Sequence, residues 1–102
     1  MIFKINFLQS FLNQTEDLDR KSRKIIHDKI NLIKENPYRY KRIHSNSYSR
    51  VFRIRLKIKS KEKRLIYSVI EPNIVLVCLL DRKKEYKDIE KYLSKIEKEL
   101  RL

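Results

Sequence analysis

From Phe52 to Lys59 the chain alternates strictly, with Arg53, Arg55, Lys57 and Lys59 on one parity and Phe52, Ile54, Leu56 and Ile58 on the other. A strand sends successive side chains to opposite faces, so this pattern predicts a sheet surface that is apolar on one side and entirely cationic on the other. Arginine's planar fork binds phosphate oxygens in pairs and keeps its charge at neutral pH. Such a face suits a polyanion, to whose phosphates arginine would supply cations, while with a pKa above about 12 it would be a poor base.

The charge balance points to the same partner. The chain of 102 residues has 26 Lys and Arg against 13 Asp and Glu, a net charge of +13, and its pI is near 10.0. Eleven of the basic residues and one acid, Glu62, lie between Asn36 and Arg64, so that segment holds a surplus of ten out of the thirteen. A surplus concentrated on one strand favours a binding surface over a generally solvated one. Three tyrosines, Tyr38, Tyr40 and Tyr48, are interleaved with these cations and suit either stacked bases or a covered sheet edge.

Other chemistries find little support. The two histidines, His27 and His44, and the one cysteine, Cys78, show no metal-ligand spacing. Cys78 lies inside the apolar run IVLVCLL and is expected to be inert packing. There is no glycine, hence no glycine-rich phosphate loop, which argues against nucleotide-hydrolysing and dinucleotide-binding functions. No cofactor is expected. The amino terminus MIFKINF is too short and too polar for a signal peptide, and no apolar run approaches the roughly 20 residues of a membrane span. A soluble cytoplasmic protein with no membrane partner is expected.

The elements that position the cations can be read in outline. The length suits a single domain over residues 1–102. Residues 2–7 alternate and read as a short strand. Leu8, Phe11, Leu12 and Leu18, then Ile25, Ile26, Ile30 and Ile33, fall at helical spacing over residues 9–35. Asp19 is the expected N-cap between two helices, and Asn36-Pro37 is the expected stop. Residues 38–49 suit a loop. The alternating strand follows, then a charged turn at 60–63, a strand at 64–70, a turn at 71–73 and a strand at 74–80. The run IVLVCLL does not alternate, as expected of a central strand covered on both faces. Ile89, Tyr92, Leu93, Ile96 and Leu100 mark a final amphipathic helix from about Lys84. The predicted class is α+β in the order β-α-α-β-β-β-α, an antiparallel sheet with helices packed on one face.

A first strand, a helical hairpin ending in ENP (Glu35 to Pro37), then VFRIRL (Val51 to Leu56), RLIY (Arg64 to Tyr67), and an apolar strand running into DRKKEY (Asp81 to Tyr86) together resemble the RelE/ParE toxin superfamily, and within it the RelE branch. The resemblance covers nearly the whole chain in order. It implies a toxin of a type II toxin-antitoxin system that cuts messenger RNA in the ribosomal A site, a metal-independent endoribonuclease that inhibits translation. It also implies an acidic RelB-type antitoxin that covers Arg53, Arg55 and Arg82.

Carried over position by position, the resemblance places Arg53, Arg55, Arg64, Arg82 and Tyr86 in the catalytic set, with Arg50, Lys57, Lys59, Lys83 and Lys84 as flanking RNA-binding cations. Three departures stand out. Arginine at 53 and 55 in place of lysine leaves the base unassigned. The link from Leu56 to Arg64 is longer than in many relatives and lacks glycine, and Asp81 stands where many have histidine. A ParE-like toxin that inhibits DNA gyrase and a non-catalytic RNA-binding domain are the alternatives.

Overall fold

The computed structural model of the chain describes residues 2–82 and 86–102. The elements run β1 (Lys4–Phe7), α1 (Gln9–Thr15), α2 (Arg20–Glu35), β2 (Lys41–Ile43), β3 (Val51–Ile58), β4 (Lys61–Ile70), β5 (Asn73–Asp81), a 3-10 turn (Tyr86–Asp88), α3 (Ile89–Leu93) and α4 (Lys95–Leu100). The five strands form one sheet in the order β1-β5-β4-β3-β2. The expected α+β class and strand-hairpin-meander-helix order are found.

The helical hairpin is set by local chemistry. Asp19 caps α2 by accepting the Ser22 N–H at 2.9 Å, and the hydrogen bonds from Ser22 hold its carboxyl below the usual range, with a smaller contribution from Lys59. At the other end α2 stops at Glu35, one residue before Asn36-Pro37, because proline excludes its predecessor from helical geometry. The stripe Ile26 and Ile33, with Phe11 from α1, packs on Phe52, Ile54, Leu56, Ile58, Leu65, Tyr67 and Leu76. Beneath it Tyr67 is fully buried and donates to the Pro37 carbonyl at 2.6 Å, so burial raises its ionisation well above that of free tyrosine.

The other face of the sheet is also covered. Leu8, Val51, Ile66, Val77, Cys78 and Leu80 pack with Ile89, Leu93 and Ile96 of the carboxy-terminal helices. Helices therefore flank both faces, where one was expected. The reason lies in β5, whose two parities are both apolar and leave greasy surface on each side. Cys78 is part of that packing, and burial pushes its thiol up to about 12. A bulge adjusts the ladder: Ile66 pairs with Cys78 and Tyr67 with Leu76, leaving Val77 unmatched.

Four further differences from the sequence reading are found. The sheet is mixed, since β1 lies parallel to β5; the hairpin and meander between them supply the crossover that a parallel pair needs. The segment expected as a loop contains β2, an edge strand paired with β3 from Lys41↔Arg53 to Ile43↔Val51. The turn after β3 is only Lys59-Ser60, both with positive φ (51° and 66°), flanked by the pair Ile58↔Lys61. A two-residue hairpin prefers that geometry even without glycine, so β4 begins three residues earlier than expected. The last helix begins as a 3-10 turn and breaks at Ser94 into α3 and α4. Among the described residues no helix is long and apolar enough to cross a membrane.

Candidate active site

Residues opposite one another in adjacent strands share a sheet face, so the register gives the layout of the cations directly. One row across the sheet is Lys41, Arg53, Ile66 and Cys78; the next is Arg55, Arg64 and Leu80; the outermost contains Lys57 and Glu62. Arg82, just past β5, extends that last row by donating its backbone N–H to the Glu62 carbonyl at 3.2 Å. The face is thus half apolar, beneath α3 and α4, and half charged. It was expected to be cationic throughout, but β3 supplies only one column of it, and β4 and β5 bring Ile66, Cys78 and Leu80.

The charged half forms a cleft of about 240 Å³ lined by Arg55, Leu56, Lys57, Glu62, Lys63, Arg64 and Arg82. Of the residues expected to be catalytic, Arg55, Arg64 and Arg82 meet here. Tyr86 joins them from the 3-10 turn, with the Arg64 guanidinium 5.2 Å from its ring centroid, a distance at which cation and ring attract. Arg64 is half-buried and its Nε has no hydrogen-bond partner. Arg55 is exposed.

Arg53 departs from expectation. It was read as solvent-facing, yet it is 7% exposed, and its Nε and Nη1 are buried without hydrogen-bond partners. Its row runs into the apolar patch, which explains the burial. Two buried guanidinium nitrogens without partners are costly.

The flanking cations are dispersed. Lys57 lines the cleft, while Lys59 sits in the β3–β4 turn. Arg50 lies beyond the other end of β3, 5.6 Å from the Tyr38 ring centroid and paired with Glu71 at 3.4 Å. Lys83 and Lys84 lie outside the described residues. The tyrosines take part in packing: Tyr38 makes edge-to-face ring contacts with Phe3 and Phe52, and Tyr40 and Tyr48 pack against the two cores. His27 is exposed on α2, and His44 approaches the Asn46 side chain at 3.2 Å, apart from the cleft.

Two acids border the cleft. Asp81 pairs with Lys63 at 2.6 Å, and Glu62 pairs with Arg82. The sequence reading gave Glu62 no role, although it shares the parity of Arg64 and is the one acid in the basic segment. Among the described residues no group of three or more His, Cys, Asp or Glu side chains could hold a metal ion.

No protein-family model and no curated protein matches the chain. Solved structures do. A double arginine mutant of the E. coli toxin RelE in the free state superposes with a TM-score of 0.62 at 19% identity, covering 98% of this chain and 99% of that one. The isolated E. coli RelE toxin gives 0.61 at 18% identity, covering 94% and 99%, and the intact E. coli RelBE toxin-antitoxin complex 0.60 at 20%, covering 82% and 100%. With so little sequence shared over nearly the full length of both chains, the likeness is one of architecture: this chain has the RelE fold.

Proposed function

We propose that the chain is the toxin of a type II toxin-antitoxin pair, a metal-independent endoribonuclease that cuts messenger RNA in the ribosomal A site and so stops translation. One observation carries the reading: Arg55 and Arg64 face each other across β3 and β4, and Arg82 lines the same cleft, which is open to solvent. Three guanidinium groups around one small cleft suit a phosphate whose charge grows as a fifth oxygen approaches phosphorus. Arg53, buried behind them with donors unused, adds positive potential without flexibility.

In this reading the ribose 2′-OH attacks the adjacent phosphorus, the arginines stabilise the pentacoordinate charge, and the Tyr86 hydroxyl gives a proton to the departing 5′-oxygen. The remaining cations, Lys57 among them, hold the RNA backbone. The chain's +13 charge calls for an acidic antitoxin of RelB type that masks Arg55 and Arg82. The similarity to a toxin that has been solved with its antitoxin supports that partner. Ribosomes and messenger RNA place the activity in the cytoplasm.

Induced expression in cells, with primer extension on several messages, tests the reading. New 5′ ends inside translated regions are expected for the natural chain and not for Arg64→Ala. Growth arrest with intact messages in both would point instead to a gyrase-type toxin.

A further inference from the structure

We infer that Glu62 is the general base of the cleft, the group that takes the proton from the attacking 2′-OH; the inference rests on the endoribonuclease reading above. Metal-free attack by a ribose hydroxyl needs a proton acceptor that is unprotonated near neutral pH. Arginine holds its proton there, which removes Arg55, Arg64 and Arg82 from consideration, and a carboxylate is a readier proton acceptor than the ammonium of Lys57 or Lys63. His27 lies on α2 and His44 in the loop after β2, both away from the cleft. Among the residues that line the cleft, Glu62 is the one carboxylate.

Its placement fits the task. Glu62 stands two residues before Arg64 on the same face of β4, about 7 Å away along the strand, and directly opposite Lys57. A phosphate held by Arg55 and Arg64 would have Glu62 beside it on the same face, on the side where a neighbouring ribose can lie. The side chain is half exposed, so substrate can approach it. Arg82 fixes its orientation from both ends, with its guanidinium on Oε2 and its backbone N–H on the Glu62 carbonyl. Oε1 has no hydrogen-bond partner among the described residues and is the oxygen available to the ribose hydroxyl.

The step balances without a co-reactant. The 2′-OH proton passes to Glu62 Oε1 as the O2′–P bond forms. The P–O5′ bond breaks, and the 5′-oxygen takes the Tyr86 proton. The products are a 2′,3′-cyclic phosphate and a 5′-hydroxyl; solvent then reprotonates Tyr86 and removes the proton from Glu62.

The test is single-turnover cleavage by the purified chain on ribosomes programmed with a defined message, measured between about pH 5.5 and 8. Glu62→Gln, which keeps shape and exposure, should cleave about 10² to 10⁴ times more slowly. Glu62→Asp should fall between. Binding to ribosomes carrying a 2′-deoxy message should be unchanged or tighter for Glu62→Gln, which separates chemistry from folding. If Glu62→Gln cleaves as fast as the natural chain, or faster, the carboxylate only clamps Arg82 and the inference is wrong. If the natural chain leaves the message intact, the endoribonuclease reading itself fails.

Discussion

Replacing Arg53 with methionine should make the protein more stable and less active at once. The residue is 7% exposed, and two of its guanidinium nitrogens, Nε and Nη1, are buried with no partner. Each unsatisfied buried donor costs about 1 to 3 kcal/mol, a gross penalty of about 2 to 6 kcal/mol that methionine removes while preserving an unbranched stem of similar reach. Part of this is lost again with the hydration of the remaining nitrogen. Replacements of buried charges by apolar residues gain about 1 to 4 kcal/mol elsewhere, so about 2 kcal/mol is the expected net effect. For a domain of this size that is a rise in Tm of about 8 to 16 °C. Thermal unfolding followed by circular dichroism, with urea midpoints at constant slope, measures it. An unchanged or lowered Tm would refute the reasoning, because it would mean that Arg53 is fully satisfied in solution.

Other outcomes follow from the same structure. Ser60→Gly, at φ 66° in the β3–β4 turn, should stabilise the protein by about 0.5 to 1 kcal/mol, since glycine adopts this region without the side-chain penalty; an unmoved urea midpoint would count against the turn geometry. Alanine at Arg55, Arg64 or Arg82 should each lower cleavage by about two to three orders of magnitude, and lysine should restore only part of it because the fork is lost. Glu90 accepts the Asn46 N–H and the Ser47 hydroxyl, each at 2.8 Å, and hydrogen bonding, foremost from Ser45, holds its carboxyl below the usual range. A group whose ionisation is depressed on folding contributes stability above its unfolded value of about 4.3 that fades as pH falls through the folded one. The stability difference between the natural chain and Glu90→Gln should therefore shrink below about pH 4, and a difference independent of pH would contradict this role. Finally, amide exchange in α3 and α4, two short helices broken at Ser94, should be faster than in β5; equal protection would show that they belong to the central cooperative unit.

What could be read from the sequence was whatever depends on neighbouring residues. The bounds of the hairpin followed from Asp19 and Pro37, and the strand β3 from its alternation. The apolar run of β5 announced a strand covered on both faces, yet the helices were assigned to one. That run already held the information that overturns the assignment. The parallel pairing of β1 with β5 joins residues about seventy apart, and no local pattern encodes it. The turn at Lys59-Ser60 carries none of the residues that usually mark positive φ, so the charged stretch after it looked like the turn. Arg53 shows the limit most clearly: its own strand labels it exposed, and only the neighbours in β4 and β5 place it at the border of an apolar patch. The cleft residues Arg64 and Arg82 entered through resemblance, and the structure brings them together with Arg55, with Tyr86 against Arg64. Glu62 was visible by parity but stood among cations, where a single acid reads as charge relief.

The most direct test of the account is one atom in the substrate. Ribosomes programmed with a short message, either all-ribose or with a single 2′-deoxynucleotide at the cleaved position, are incubated with the purified chain and the product ends are identified. Attack by the 2′-OH within the arginine cleft predicts a 2′,3′-cyclic phosphate and a 5′-hydroxyl from the ribose message and no cut at the deoxy position. Cleavage that persists at the deoxy position, or that leaves a 3′-hydroxyl and a 5′-phosphate, would contradict the account.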